Sequence, residues 1–285
     1  MSVGVLQPPV VAGRLSGLHR LRALGVLDWF AFAVVAFLLV AVVAPGLLAS
    51  SDPLAPDSHL ILAKPSWSHP LGTDYLGRDE FSRVVHGTVR TLVGSAIAVI
   101  IGLGVGTLLG LVAAYFTGFV DTVISRVVDV LLSIPGLLLA MVIVLALGFG
   151  AFTAATAVGI ASIAVFTRLM RSEVLTVKGL PFVEASHHLG GSTWYVLRKH
   201  VFPNSYGAVL SLTALQFGLA ILWVSALSFL GYGAPPPKPE WGLLISEGRD
   251  YMVSSPWLVF GPGIFITVSV LAFSRIGHFV RETMS

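Results

Sequence analysis

Long uncharged apolar stretches alternate along the chain with short charged ones, and the gaps between charges place the elements. Trp29 to Ala49 carries no charge for 21 residues, which as a helix covers about 31 Å, the hydrocarbon thickness of a bilayer. Pro45 and Gly46 close this first span, and without a small-residue cleavage site after it the segment does not read as a signal peptide. Further uncharged runs cover Thr91 to Val120, Val130 to Thr167, His200 to Pro237 and Tyr251 to Ser274. The run from Val130 has room for two spans. Gly148-Phe149-Gly150 offers the turn between them, the first span borrowing residues from the Asp121 to Asp129 side. The expectation is an all-α polytopic membrane protein with about six transmembrane helices, near 29–49, 91–116, 123–147, 151–170, 206–231 and 257–279.

Composition agrees with that pattern. The 285 residues are 55% hydrophobic and 11% charged, with mean hydropathy +0.90, more apolar surface than one water-soluble core hides. The absence of cysteine excludes disulfides, thiolate metal sites and cysteine nucleophiles. A net charge of +3 raises the question of nucleic acid, but the basic residues are scattered among the loops and read as membrane anchors instead. With the amino terminus inside, eleven Lys and Arg (Arg14, Arg20, Arg22, Arg126, Arg168, Arg171, Lys178, Arg198, Lys199, Arg275, Arg281) are cytoplasmic and six (Lys64, Arg78, Arg83, Arg90, Lys238, Arg249) external. The positive-inside rule then predicts a multi-pass protein of the cytoplasmic membrane, in contact with lipid and with both termini in the cytoplasm. Residues 1–28 form a cytoplasmic segment, 29–49 the first span, 50–90 an external segment and 91–285 the main transmembrane domain, with a cytoplasmic loop at 171–205.

That loop interrupts the apolar pattern with RLMRSEVLTVKGLPFVEASHHLGGSTWYVLRKHVFPN, from Arg168 to Asn204. Pro181 suits the first turn of a short helix, and Gly190-Gly191 a left-handed stop after His188-Leu189. Ser192 is placed to cap a second helix, Thr193 to Val201, before Pro203 forces a break. The short helix, Pro181 to Leu189, would lie across the end of the membrane bundle; alternatives are a surface for another protein or an amphipathic element resting on lipid headgroups.

Three blocks resemble a known family. Glu184-Ala185-Ser186, then Gly190, then Phe202-Pro203 follow the spacing of the E-A-A-x3-G-x9-I-x-L-P loop of ATP-binding-cassette import permeases, with Ser186, His200 and Phe202 as departures. His69 to Arg83, HPLGTDYLGRDEFSR, is similar to the external block of the dipeptide, oligopeptide and nickel branch of that family. Gly72 and Gly77 supply turn freedom there, and Asp74, Arg78, Asp79 and Arg83 are placed to pair in a compact loop, so a structural role comes before contact with substrate or a binding protein. Leu227 to Gly242, LSFLGYGAPPPKPEWG, resembles a third block of the same branch, departing at Tyr232; it includes Pro236, Glu240 and Trp241 and is followed by Glu247-Gly248-Arg249 and Trp257. Its prolines favour an extended external segment that folds back over the bundle. The carboxyl-terminal Arg275 to Glu282 matches the family ending only loosely.

Within the membrane, Gly94, Ala98, Gly102, Gly106, Gly110 and Ala114 recur at steps of four, a stripe on which another helix can pack closely. Arg126 and Asp129, three apart, are placed to pair near the inner end of the third span. No G-x4-G-K-[ST] loop is present, so the chain does not hold ATP in the manner of a P-loop ATPase. No H-E-x-x-H is present either, and His187 and His188 point to different helix faces, against a zinc site.

The resemblance implies the fold of MetI-like permeases and a non-enzymatic permease subunit, the second permease of a peptide importer. It implies a homologous permease partner, two ATPase subunits and an external binding protein, with no cofactor in this chain because ATP and magnesium belong to the ATPases. It also implies that Pro181 to Leu189 is the coupling helix. Glu184, Ala185 and Ser186 would set close approach to the ATPase, Gly190 would permit the sharp exit, and Pro203 would close the motif. A nickel or other small-solute importer of the same branch is the alternative within the family. Outside it, a secondary transporter would need midplane carboxylates and internal repeats, and an intramembrane hydrolase a nucleophile and base; neither set is visible in the sequence.

Overall fold

A computed structural model describes residues 25–284, so the basic residues counted at Arg14, Arg20 and Arg22 lie outside the described residues. Helix α1, Val26–Val43, starts three residues before the expected span, because the Asp28 carboxylate accepts the Gly25 N–H at 2.9 Å, and it ends ahead of Pro45. It lies on the last helix, α10 (Trp257–Met284), where Arg275 donates from Nε to Asp28 at 2.6 Å and Phe32 meets Phe279 edge-on at 5.7 Å.

Helix α2 runs over Glu80–Phe116. At 37 residues it is about 55 Å long, against roughly 30 Å of hydrocarbon, so it stands well outside the bilayer. The charge-free run from Thr91 marks its membrane part, whereas its true start is the Asp79 cap, whose carboxylate accepts the Ser82 N–H at 2.8 Å.

The third span corrects the expectation of one helix over 123–147. It is two helices, α3 (Gly118–Ser133) and α4 (Gly136–Leu147), bent by 98° at Ile134-Pro135. Proline has no N–H and disfavours helical geometry in the residue before it, and Ile134 is extended at φ −94° and ψ 131°. Gly136 completes the corner, since a Cβ there would come within 2.2 Å of the Trp223 ring. The expected Arg126 pairing is also corrected: Asp129 accepts from Arg168 at 2.5 Å, and Asp121 from Arg171 at 2.5 and 2.7 Å. Both pairs tie α3 to α5 (Ala151–Lys178), the helix that follows α4, and not α3 to itself.

Beyond α5 come α6 (Pro181–His188), α7 (Thr193–Val196), a π turn over Leu197–Val201, α8 (Phe202–Phe229) and α9 (Trp241–Gly248). Pro203 does not break the chain as expected. The wide turn, in which the Phe202 N–H reaches Leu197 O, brings Pro203 into the first turn of α8, where its missing donor costs little; the Asn204 side chain covers the His200 carbonyl at 2.6 Å. Among the described residues no strand is formed, only a bridge between Thr73 and Asp79. Five helices are long and apolar enough to cross a membrane, or six with the bent α3–α4 pair taken as one span.

The centre of the bundle is α2 against α5, built on the small-residue stripe. A Cβ on Gly102 would sit 2.9 Å from Ser162 Cβ, on Gly106 2.6 Å from Phe166 Cβ, and on Gly110 2.7 Å from Met170 Cβ. Ala98 and Ala114 are fully buried, and Gly94 faces Val224 and Ala155. Gly159 of α5 reciprocates, 2.9 Å from Ala98 O in the same sense, a partner that the pattern on α2 alone does not reveal. The stripe is thus occupied by this chain's own α5. Gly106→Leu is therefore expected to lower the thermal midpoint and folded yield of the detergent-extracted protein, at a cost of about 1 to 3 kcal/mol for overpacking. A normally folded variant that loses only its association with a second permease would contradict this.

Candidate functional site

The interval between α5 and α8 forms a compact cap on one end of the bundle. After Lys178 the chain turns at Gly179 and Leu180, and Pro181 opens α6. One face of α6 is anchored: Val183 is buried in a cluster with Met170, Val174, Val177, Val196 and Val201. The other face is open, with Phe182, Glu184 and Ala185 exposed and Leu189 89% exposed. Trp194 of α7 extends this outward surface. An apolar surface with a single carboxylate, held out on a rigid short helix, suits a protein groove better than water.

The exit from α6 is set by glycine. Gly190 has φ +86°, a left-handed conformation that glycine adopts at no steric cost, and the Gly191 N–H closes the cap on Ser186 O at 3.0 Å. A Cβ on Gly191 would lie 2.7 Å from that oxygen, so both glycines are required. Ser192 then accepts the Tyr195 N–H at 3.3 Å and starts α7. His200, a departure from the aliphatic residue of the motif, meets the rings of Phe182 at 6.2 Å and Tyr195 at 5.8 Å, both edge-on. It fastens α6 to the chain that follows. Sequence reasoning missed this role, which an aromatic on each side of the glycine turn was the only signal for. Pro203 lies at the root of α8 and is exposed.

The two other blocks meet at the opposite end. Asp74 accepts from Arg78 Nε at 2.6 Å and from Arg83 Nη1, while Arg83 Nη2 donates to Glu247 of α9 at 2.7 Å. Arg78 and Arg83 are 4% and 1% exposed, so this is a buried ionic knot. Asp79 belongs to a neighbouring arrangement, with His69 Nδ1 on its Oδ1 at 3.0 Å and the α2 cap on its Oδ2. Gly72 and Gly77 have φ +69° and +76°, and a Cβ on Gly77 would fall 1.8 Å from Asp57 O. The partner for Arg83 that local spacing does not supply is Glu247, 164 residues away.

The third block folds back as expected of its prolines. Pro236 is exposed; Glu240 and Trp241 are buried. Glu240 caps α9, accepting from the Gly242 and Leu243 N–H groups at 3.1 and 3.2 Å and from Thr91 at 3.1 Å. Burial pushes its carboxyl above the usual range, against those hydrogen bonds, which pull it down. The Trp241 indole donates to Val84 O at 2.9 Å. Glu240→Ala is expected to cost about 1 to 3 kcal/mol by stranding buried donors, and Glu240→Gln, which keeps an acceptor, appreciably less; equal losses in thermal midpoint would contradict the capping role.

Among the described residues no cluster of metal-ligating side chains is found. Residues 106–284 match the family described as binding-protein-dependent transport system inner membrane component. The chain is 40% identical over 220 residues to the glutathione transport system permease protein GsiD of Pectobacterium atrosepticum, covering 77% of this chain and 73% of that one. It is 39% identical over 251 residues to the dipeptide transport system permease protein DppC of Alkalihalophilus pseudofirmus, covering 88% and 82%. Among solved structures it is similar in fold to a chain of the inward-facing MetNI methionine ABC transporter, with TM-score 0.60, 14% identity, and coverage of 71% of this chain and 96% of that one. An all-helical bundle with five or six apolar spans, matched over most of its length by these relatives, is accounted for in one way: the chain belongs to the binding-protein-dependent transport system inner membrane components, as a multi-pass permease subunit.

Proposed function

We propose that the chain is the second permease of an ATP-driven importer that carries di- and oligopeptides into the cell. The relatives named above carry peptide names, glutathione and dipeptide, which favours peptide over nickel as cargo. A homologous permease completes the pathway, two ATPase subunits drive it and an external binding protein delivers cargo. ATP and magnesium belong to the ATPases. The observation that carries this reading is α6, seated by Val183 and His200 with Glu184, Ala185 and Leu189 turned outward. It is the coupling helix. Closure of the ATPases on ATP moves it, and α5 before it and α8 after it, reached through α7 and the π turn, transmit that movement to the spans.

Both termini are then cytoplasmic, and the ionic knot faces outside, where it holds the external segment rigid beneath the binding protein. Uptake of a labelled dipeptide by proteoliposomes containing both permeases, the ATPases and the binding protein tests the function: uptake dependent on ATP and binding protein is expected, and uptake of nickel alone would overturn the cargo. Topology is tested on the cysteine-free background by single cysteines at the exposed positions Ser58 and Thr193. An impermeant thiol reagent is expected to label the first in intact cells and the second only after the membrane is opened; the reverse pattern would contradict the orientation.

A further inference from the structure

At the α6 end of the bundle, three helix faces line a half-open cavity of about 440 Å³. Helix α5 contributes Leu169 and Glu173, α8 contributes Asn204, Ser211 and Leu215 among others, and α10 contributes Ser274, His278 and Arg281. Small residues create the space: Gly207 and Ala208 line α8, and at Gly277 the backbones of α10 and α8 come so close that a Cβ would lie 3.2 Å from Ser211 O. The size falls within the range of ligand sites, roughly 300 to 1,000 Å³.

The charges in this cavity stand apart from those around it. Of the four charged residues of α5, Arg168 and Arg171 are paired with Asp129 and Asp121, and Lys178 donates to Ala114 O. Glu173 has no partner among the described residues. On α10, Arg275 is paired with Asp28, while Arg281 forms no ion pair among the described residues, with Glu173 or any other group. A carboxylate and a guanidinium thus line one cavity without forming an ion pair, and apolar wall and the Asn204 and Ser211 side chains line it with them. That arrangement is complementary to a small zwitterion. A free dipeptide presents an ammonium and a carboxylate up to roughly 7 Å apart by the reach of two residues, with apolar side chains for the leucine-lined wall and amide groups for Asn204.

We infer that this cavity binds a free di- or tripeptide from the cytoplasmic side, with Glu173 receiving the peptide ammonium and Arg281 its carboxylate. The inference rests on the peptide-importer reading and the orientation above, and extends them to a site for released product. An occupant bridging α5, α8 and α10 holds together the helices that must move during the cycle, so accumulated peptide slows further import.

The test is equilibrium binding of tritiated Ala-Phe to the detergent-solubilised complex of both permeases and ATPases, without binding protein. Competition is measured with unlabelled Ala-Phe, its Nα-acetyl form, which lacks the ammonium, and its amide, which lacks the carboxylate. The wild type is expected to discriminate at least tenfold against each analogue. Glu173→Gln should lose discrimination against the acetyl form alone, and Arg281→Gln against the amide alone, a pattern that general structural damage does not produce. Absence of binding to the wild type, or unchanged discrimination in both variants, would overturn the inference. Uptake of Ala-Phe into proteoliposomes with binding protein separates the two readings: uptake without this binding defeats only the inference, and absence of uptake defeats the importer reading.

Discussion

Arg83→Met is expected to destabilise the protein by about 3 to 5 kcal/mol, the cost of breaking a buried ion pair from one side. The guanidinium is 1% exposed and engages both Asp74 and Glu247, so methionine leaves Glu247 only Arg78 Nη2, at 3.8 Å, and leaves Asp74 with one cation in place of two. The loss should appear as a lower thermal midpoint of the extracted protein and as proteolysis of the segment 50–90, which Asp74 and Arg78 belong to. Arg83→Met combined with Glu247→Leu removes both partners of the long-range pair and is expected to recover part of the loss. A double variant that shows the plain sum of the two single losses would mean that Arg83 and Glu247 are not coupled.

The same knot shows how far the sequence was legible. Asp74, Arg78 and Arg83 lie within ten residues, and their pairing follows from spacing; Glu247 becomes a partner only once α9 folds back, and nothing local announces it. The glycine stripe on α2 was readable because close helix contact needs small residues at every fourth position, but its partner, α5, was not, since a stripe does not say what it faces. Prolines were the least legible. Pro135 bends the third span by 98°, hidden in an uncharged run where gaps between charges carry no signal. Pro203 and Pro262 are carried inside α8 and α10. The difference lies in what surrounds each: Ile134 is extended before Pro135, whereas a π turn precedes Pro203 and leaves it in the first turn of α8, where its missing donor costs little. The short helix α6 was legible throughout, because Pro181, Gly190 and Ser192 each impose a local conformation on their own.

Its role is tested by a second pair of substitutions with large expected effects. Glu184→Lys reverses the one charge on the outward face of α6, which no intramolecular partner holds among the described residues, so folding should be unaffected. Gly190→Val forces a β-branched residue to φ +86°, which costs on the order of 1 to 3 kcal/mol and misdirects the exit from the helix. Both variants are expected to insert, to pair with the second permease and to bind the loaded binding protein, yet to support less than about a tenth of wild-type uptake.

The most direct measurement is ATP hydrolysis by the complete complex in proteoliposomes, with and without binding protein and dipeptide. In the wild type, loaded binding protein should stimulate hydrolysis several-fold; in Glu184→Lys and in Gly190→Val the basal rate should no longer respond. Wild-type stimulation in both variants would show that α6 does not transmit the signal and would contradict the account.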